Sequence, residues 1–129
     1  MNHEVPASAC GHRRWAIAEG YLPASSHGPR PELASHEACC ILNTSPQDAE
    51  IRIFIYHGDR EPTGPYRFRV PAQRTAHLRY NDFADPEPVP VGTPFASLIE
   101  STVPVVVQHT RLDSRQAENA LMTTMAYPC

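Results

Sequence analysis

The chain has 129 residues, enough for one domain at roughly 100–200 residues per domain and too few for two. All 11 basic residues are arginine, so a P-loop lysine, Schiff-base chemistry and the kinase strand lysine are excluded together; a codon-biased genome is the simplest cause of the missing lysine. Fourteen acidic residues bring the net charge to −3, a balance whose long-range field favours neither nucleic acid nor an anionic membrane.

The N-terminal stretch Met1 to His12 is polar, has no apolar core of a signal sequence, and is expected to be a flexible extension of a single domain covering 13–129. No segment approaches the roughly 18 apolar residues of a membrane-spanning helix, so a cytoplasmic location is expected. From Arg14 onwards strict alternation replaces helical periodicity, and 14 prolines cut the chain into short pieces, an all-β signature. Arg14 to Leu22 predicts a strand with Trp15, Ile17, Glu19 and Tyr21 on one side. Pro23 to Pro31 predicts a loop, and Glu37 to Asn43 a second strand. Ile51 to His57 alternates most clearly, with Ile51, Ile53 and Ile55 on one face. Tyr66 to Val70 and Thr75 to Tyr80 follow as two arms, each pairing an apolar face with a face of arginine and histidine. Asn81 to Pro94 is a proline-stiffened loop. Phe95 to Glu100 and Val103 to Arg111 are expected as separate strands, Pro104 sitting at the start of the second. The tail is open between a helix capped at Asp113 and a strand over Leu121 to Tyr127. No internal repeat is evident, and short strands in this number predict a single-domain, jelly-roll-like β-sandwich.

Four cysteines, Cys10, Cys39, Cys40 and Cys129, lack the paired spacing of a zinc site; buried free thiols are expected, and a Cys10–Cys129 bridge is not expected in a reducing compartment. His36, His57, His77 and His109 fall on or beside strands, but without a short histidine pair to anchor a cupin-like centre no metal is expected. Ser35, His36 and Glu37 are neighbours in sequence and make no triad, and whether Glu19 and Glu37 stand at glycosidase separation is not legible in sequence. The densest charge lies between Arg60 and Tyr80, where five arginines meet the single Glu61; Arg67, Arg69 and Arg79 are expected on one exposed face suited to a phosphate, a carboxylate or an acidic protein patch. A solvated, ion-paired face is the plainer alternative. Nucleic acid is a minority expectation, because Tyr66, Phe68 and Tyr80 point to the opposite side and cannot stack on bases. Trp15, Glu19 and Tyr21 suggest either a sugar-binding patch or core packing. Gln108, Thr110, Arg111 and Asp113 form a polar run at a strand end, the usual mark of a rim or pocket.

The runs Trp15 to Tyr21, Ser35 to Glu37, Cys40 to Asn43, Glu61 to Arg67 and, above all, Val105 to Leu121 resemble the sensory rhodopsin transducer family over about Arg14 to Tyr127. The resemblance implies a small cytoplasmic β-sandwich assembled as a homotetramer, without catalytic residues or cofactor, and a strand over Leu121 to Tyr127. It further implies a signalling partner such as a membrane photoreceptor, a sensory rhodopsin, or a small molecule such as a sugar. A DNA-binding regulator is the other alternative. Matching positions make Trp15, Glu19, His36, Glu37, Arg79, Asn81, Asp82, Gln108, Arg111 and Asn119 candidate binding residues, beside Arg67 and Arg69 from the charge pattern.

Overall fold

Alternating apolar residues need a partner layer to bury them, and here one long strand supplies it to two sets of neighbours. The computed structural model describes residues 5–6, 8–24, 35–115 and 120–129. Within them lie β1 (His12–Tyr21), β2 (His36–Asn43), β3 (Ala49–His57), β4 (Thr63–Val70), β5 (Arg74–Arg79), a 3-10 turn (Tyr80–Asp82), β6 (Pro94–Asp113), β7 (Ala120–Met125) and β8 (Tyr127–Pro128). All pairings are antiparallel. The first half of β6 lies between β3 and β1, with β4 and β8 outside them; its second half lies between β2 and β7, with β5 beyond β2.

The two expected strands on either side of Thr102 are therefore one strand of 20 residues. β6 leaves β3 at Ser101 and meets β2 at Val106. Pro104 sits in this hand-over and not at a strand start, so its missing N–H removes no bond from either ladder. Gly11 crosses β6 at the same place: a Cβ there would stand 2.0 Å from the Val105 carbonyl oxygen, and its φ of +107° is a glycine conformation.

Both arms bury their apolar faces in one core, which joins Ile51, Ile53 and Ile55 of β3 to Ile41 of β2 and to Ile99, Val105 and Val107 of β6. This is the all-β single domain that the alternation predicts. Phe83, from the loop after the 3-10 turn, packs at 4.9–5.1 Å between ring centroids against Tyr66, Phe68 and Tyr80. That contact explains why those three aromatics turn away from solvent. The tail is a strand, as the family resemblance implied, with β7 along the second half of β6 and β8 along β1. All four cysteines are free thiols, but only Cys39 is fully buried; Cys10 and Cys129 are exposed, against the expectation of buried thiols.

Candidate functional site

The alternation of β1 breaks after Ile17. Its register on β6 shifts between Ile17 and Gly20, so that Gly20 and not Glu19 faces inward. At Gly20 a Cβ would meet the Phe95 ring at 2.6 Å, which leaves only glycine room there. The shift divides the expected Trp15, Glu19 and Tyr21 patch. Trp15 is a core residue, its indole N–H donating to the Val105 carbonyl at 2.9 Å, and it offers no ring to a ligand. Glu19 and Tyr21 reach the rim.

There they meet the end of β2 and β6. Glu37 on β2 stands directly opposite Arg111 on β6, and the Glu37 side chain is fully buried. A carboxylate removed from water needs compensating donors, and the fold brings them from both arms. The Arg111 Nε–H and the Tyr21 backbone N–H donate to the two Glu37 oxygens, the latter at 2.8 Å. His109 Nε2 lies 3.4 Å from Glu37 Oε1, within ion-pair range but outside hydrogen-bond geometry; it is the one buried side-chain nitrogen or oxygen among the described residues without a hydrogen bond. Arg111 then reaches outward to Glu19 at 2.9 Å. Burial pulls the Arg111 pKa down, but the hydrogen bonds it donates to Glu19 and Glu37 outweigh it and hold the guanidinium above its ordinary value. Glu19 and Glu37 are thus joined through one arginine and do not flank an open space as glycosidase carboxylates would.

The surrounding polar groups fix the corner. Asn81 accepts from the Glu37 N–H at 3.2 Å and donates to the Ser35 carbonyl at 3.1 Å. The Ser35 hydroxyl accepts from the Ser114 N–H at 2.9 Å. Arg115 donates to both Asp113 oxygens, from Nε to Oδ1 at 3.1 Å and from a terminal nitrogen to Oδ2 at 2.7 Å, lowering the Asp113 pKa, and lies over the Tyr21 ring. Between these side chains opens a cleft of about 370 Å³ bordered by Glu19, Tyr21, Pro94, Arg111, Asp113 and Arg115, within the size range of small-molecule sites.

The other candidates scatter. His36 Nδ1 and Arg79 are 3.1 Å apart on the second arm, so Arg79 does not share the face of Arg67 and Arg69, which belong to β4 on the first. Asp82 is exposed on the 3-10 turn. Gln108 bonds Thr123 at 3.0 Å and thereby ties β7 to β6. Asn119 lies outside the described residues. Among the described residues no three His, Cys, Asp or Glu side chains are placed to share a metal ion, and no helix is long and apolar enough to cross a membrane. Sequence reasoning missed Arg115 and the Ser35–Ser114 contact, whose partners are 79 residues apart. The polar run at 108–113 was its only local signal.

The described residues thus define an all-β protein with a charged cleft at the rim of its sheet, not a nucleotide-binding α/β fold. Comparison makes this specific: the family model of the Anabaena sensory rhodopsin transducer matches residues 10–128, and the chain belongs to that family. It is 53% identical to the solved Anabaena sensory rhodopsin transducer, with a TM-score of 0.72 over 80% of this chain and all of that one. It is 35% identical to the Thermotoga maritima protein 1070, with a TM-score of 0.80 over 92% of this chain and 96% of that one. No functionally curated protein matches the sequence.

Proposed function

We propose that this chain is a non-enzymatic cytoplasmic signalling module that assembles as a homotetramer and receives a protein partner or small ligand at the rim cleft. The observation that carries the reading is the position of Arg111, which bonds an exposed carboxylate, Glu19, and a buried one, Glu37, that is itself bonded to the backbone of the other arm. A ligand group that replaces Glu19 on Arg111 acts directly on the junction of the two arms. The similar sensory rhodopsin transducer makes a sensory rhodopsin the first partner to test. Self-assembly has its own support: β7 is exposed along its whole length and presents Leu121, Met122 and Met125, an apolar edge strand that a second copy would cover.

A sugar is the second reading, favoured by the Tyr21 ring beside Glu19, Asp113 and Arg111 in one cleft. Thermal-shift measurements over sugars and nucleotides test the cleft: a ligand that raises the melting temperature should lose its effect in Arg111→Gln, and an undiminished shift overturns the assignment. Sedimentation at micromolar concentration tests assembly. A tetramer that dissociates in Met122→Glu supports it, and a monomeric wild-type chain defeats it.

A further inference from the structure

On the outer face of the first arm, four side chains form one transverse row: Arg67 of β4 opposite Arg52 of β3, Arg52 opposite Glu100 of β6, and Glu100 opposite Arg14 of β1. Neighbours in such a row are about 4.8 Å apart along the hydrogen-bonding direction, so their charges interact strongly. Three guanidiniums stand in this row with a single carboxylate, which only two of them reach. Glu100 uses one oxygen on Arg52 at 2.6 Å and the other on Arg14 at 3.5 Å. Glu50, the only other acid on this groove, is held by Arg69 at 2.8 Å. The Arg67 side chain makes no hydrogen bond or ion pair among the described residues, although it faces a like charge across the ladder. Asp85 borders a neighbouring hollow with Arg67 and forms no ion pair with it.

The row lies in a groove of about 460 Å³ that Arg13 also borders. Its remaining polar groups are donors as well. Ser101 and Thr102 on the groove accept backbone N–H groups, from Val103 at 3.3 Å and from Glu50 at 3.0 Å, which leaves each hydroxyl proton to be given elsewhere. Arg52 is held in place by Glu100 and by its stacking 5.5 Å from the Phe54 ring centroid. A groove lined by four arginines, with both of its acids already engaged, calls for an acceptor-only group of two negative charges.

We propose that this groove binds a phosphate dianion, free or as the monoester of a small molecule, held between the forks of Arg67 and Arg52 with Arg14 and Arg13 at its side. Tetrahedral oxygens suit two opposed forks and the flanking hydroxyls at once. The site is on the opposite arm from the rim cleft and shares no residue with it, so either assignment stands if the other fails.

Calorimetric titration at fixed ionic strength, with inorganic phosphate in one arm and glycerol phosphate in the other, tests the proposal. Saturable binding of either is expected, with the preferred arm telling a free anion from an ester. Arg67→Gln should weaken binding at least about tenfold, the loss expected for a charge-assisted contact, while Arg74→Gln, on β5 and outside the groove, should change it less than about twofold. Without phosphate, Arg67→Gln should melt no lower than the wild type, because it relieves the repulsion with Arg52. In the wild-type protein, phosphate should move the Nε–H resonances of Arg67 and Arg52. Absence of saturable binding, wild-type affinity in Arg67→Gln, or resonance shifts confined to other residues would overturn it.

Discussion

The two halves of β6 solve the burial problem in opposite ways. Around Ile99, between β3 and β1, the inward face is aliphatic and aromatic, with Trp15 opposite Ile99, and the charges point out to solvent, where Arg52, Glu100, Arg69 and Glu50 pair in the open. Around His109 and Arg111, between β2 and β7, the buried face itself carries a carboxylate, an imidazole and the Ser35–Ser114 contact, while apolar Leu121 and Met122 lie outside. The first arm is held by packing that tolerates changes of charge. The second depends on the pairing of Glu37, a buried charge that is costly to leave without its partners.

The sharpest break in that contrast should come from Arg111→Met, which strips Glu37 of its main cation. We expect a loss of about 3–5 kcal/mol in urea denaturation, as for other broken buried pairs. Replacing both partners, in Glu37→Leu with Arg111→Met, should recover a large part of it; a loss under about 1 kcal/mol in the single variant would remove the special standing of the second arm.

In the first arm the corresponding lever is a cavity. Ile53→Ala deletes a fully buried side chain and should cost about 2–5 kcal/mol in the same assay, leaving the rim chemistry intact. A coupled loss of ligand response at Arg111 would show that the arms are not separable.

Alkaline pH tests the polar interior from another direction. Burial pushes the Cys39 thiol up to about 12 and Tyr80 well above its ordinary range. Both groups keep their protons longer in the folded chain than in the unfolded one. Stability is therefore full below about pH 9, where an unfolded thiol ionises, and falls as pH rises toward 12. Cys39→Ala should flatten the part of that fall which begins near pH 9. A thiol reagent at pH 8 should modify Cys10 and Cys129 in the folded protein and reach Cys39 only on unfolding.

The smallest effect belongs to the exposed pairs. Glu100→Gln should cost no more than about 1 kcal/mol, and less in high salt, because Arg52 and Arg14 are half in water. A cost above about 2 kcal/mol would mean that the outer row is structural.

Local pattern was enough for the strands whose two faces differ throughout. Ile51 to Ile55 and Tyr66 to Val70 are paired and buried as alternation requires, since a one-residue slip would expose every isoleucine. The composition excluded lysine chemistry outright, and the runs from Trp15 to Leu121 carried the family. Position in space decided the rest. A register shift between Ile17 and Gly20, unseen in any residue count, left Trp15 in the core and sent Glu19 to the rim. Continuity of β6 through Pro104 depended on where β3 ends and β2 begins. Arg111 is 74 residues from Glu37, and Arg67 is 15 from Arg52, so each contact exists only through strand register. Side-chain facing follows from neighbours in sequence; which charge meets which across a sheet is set by how distant strands pair.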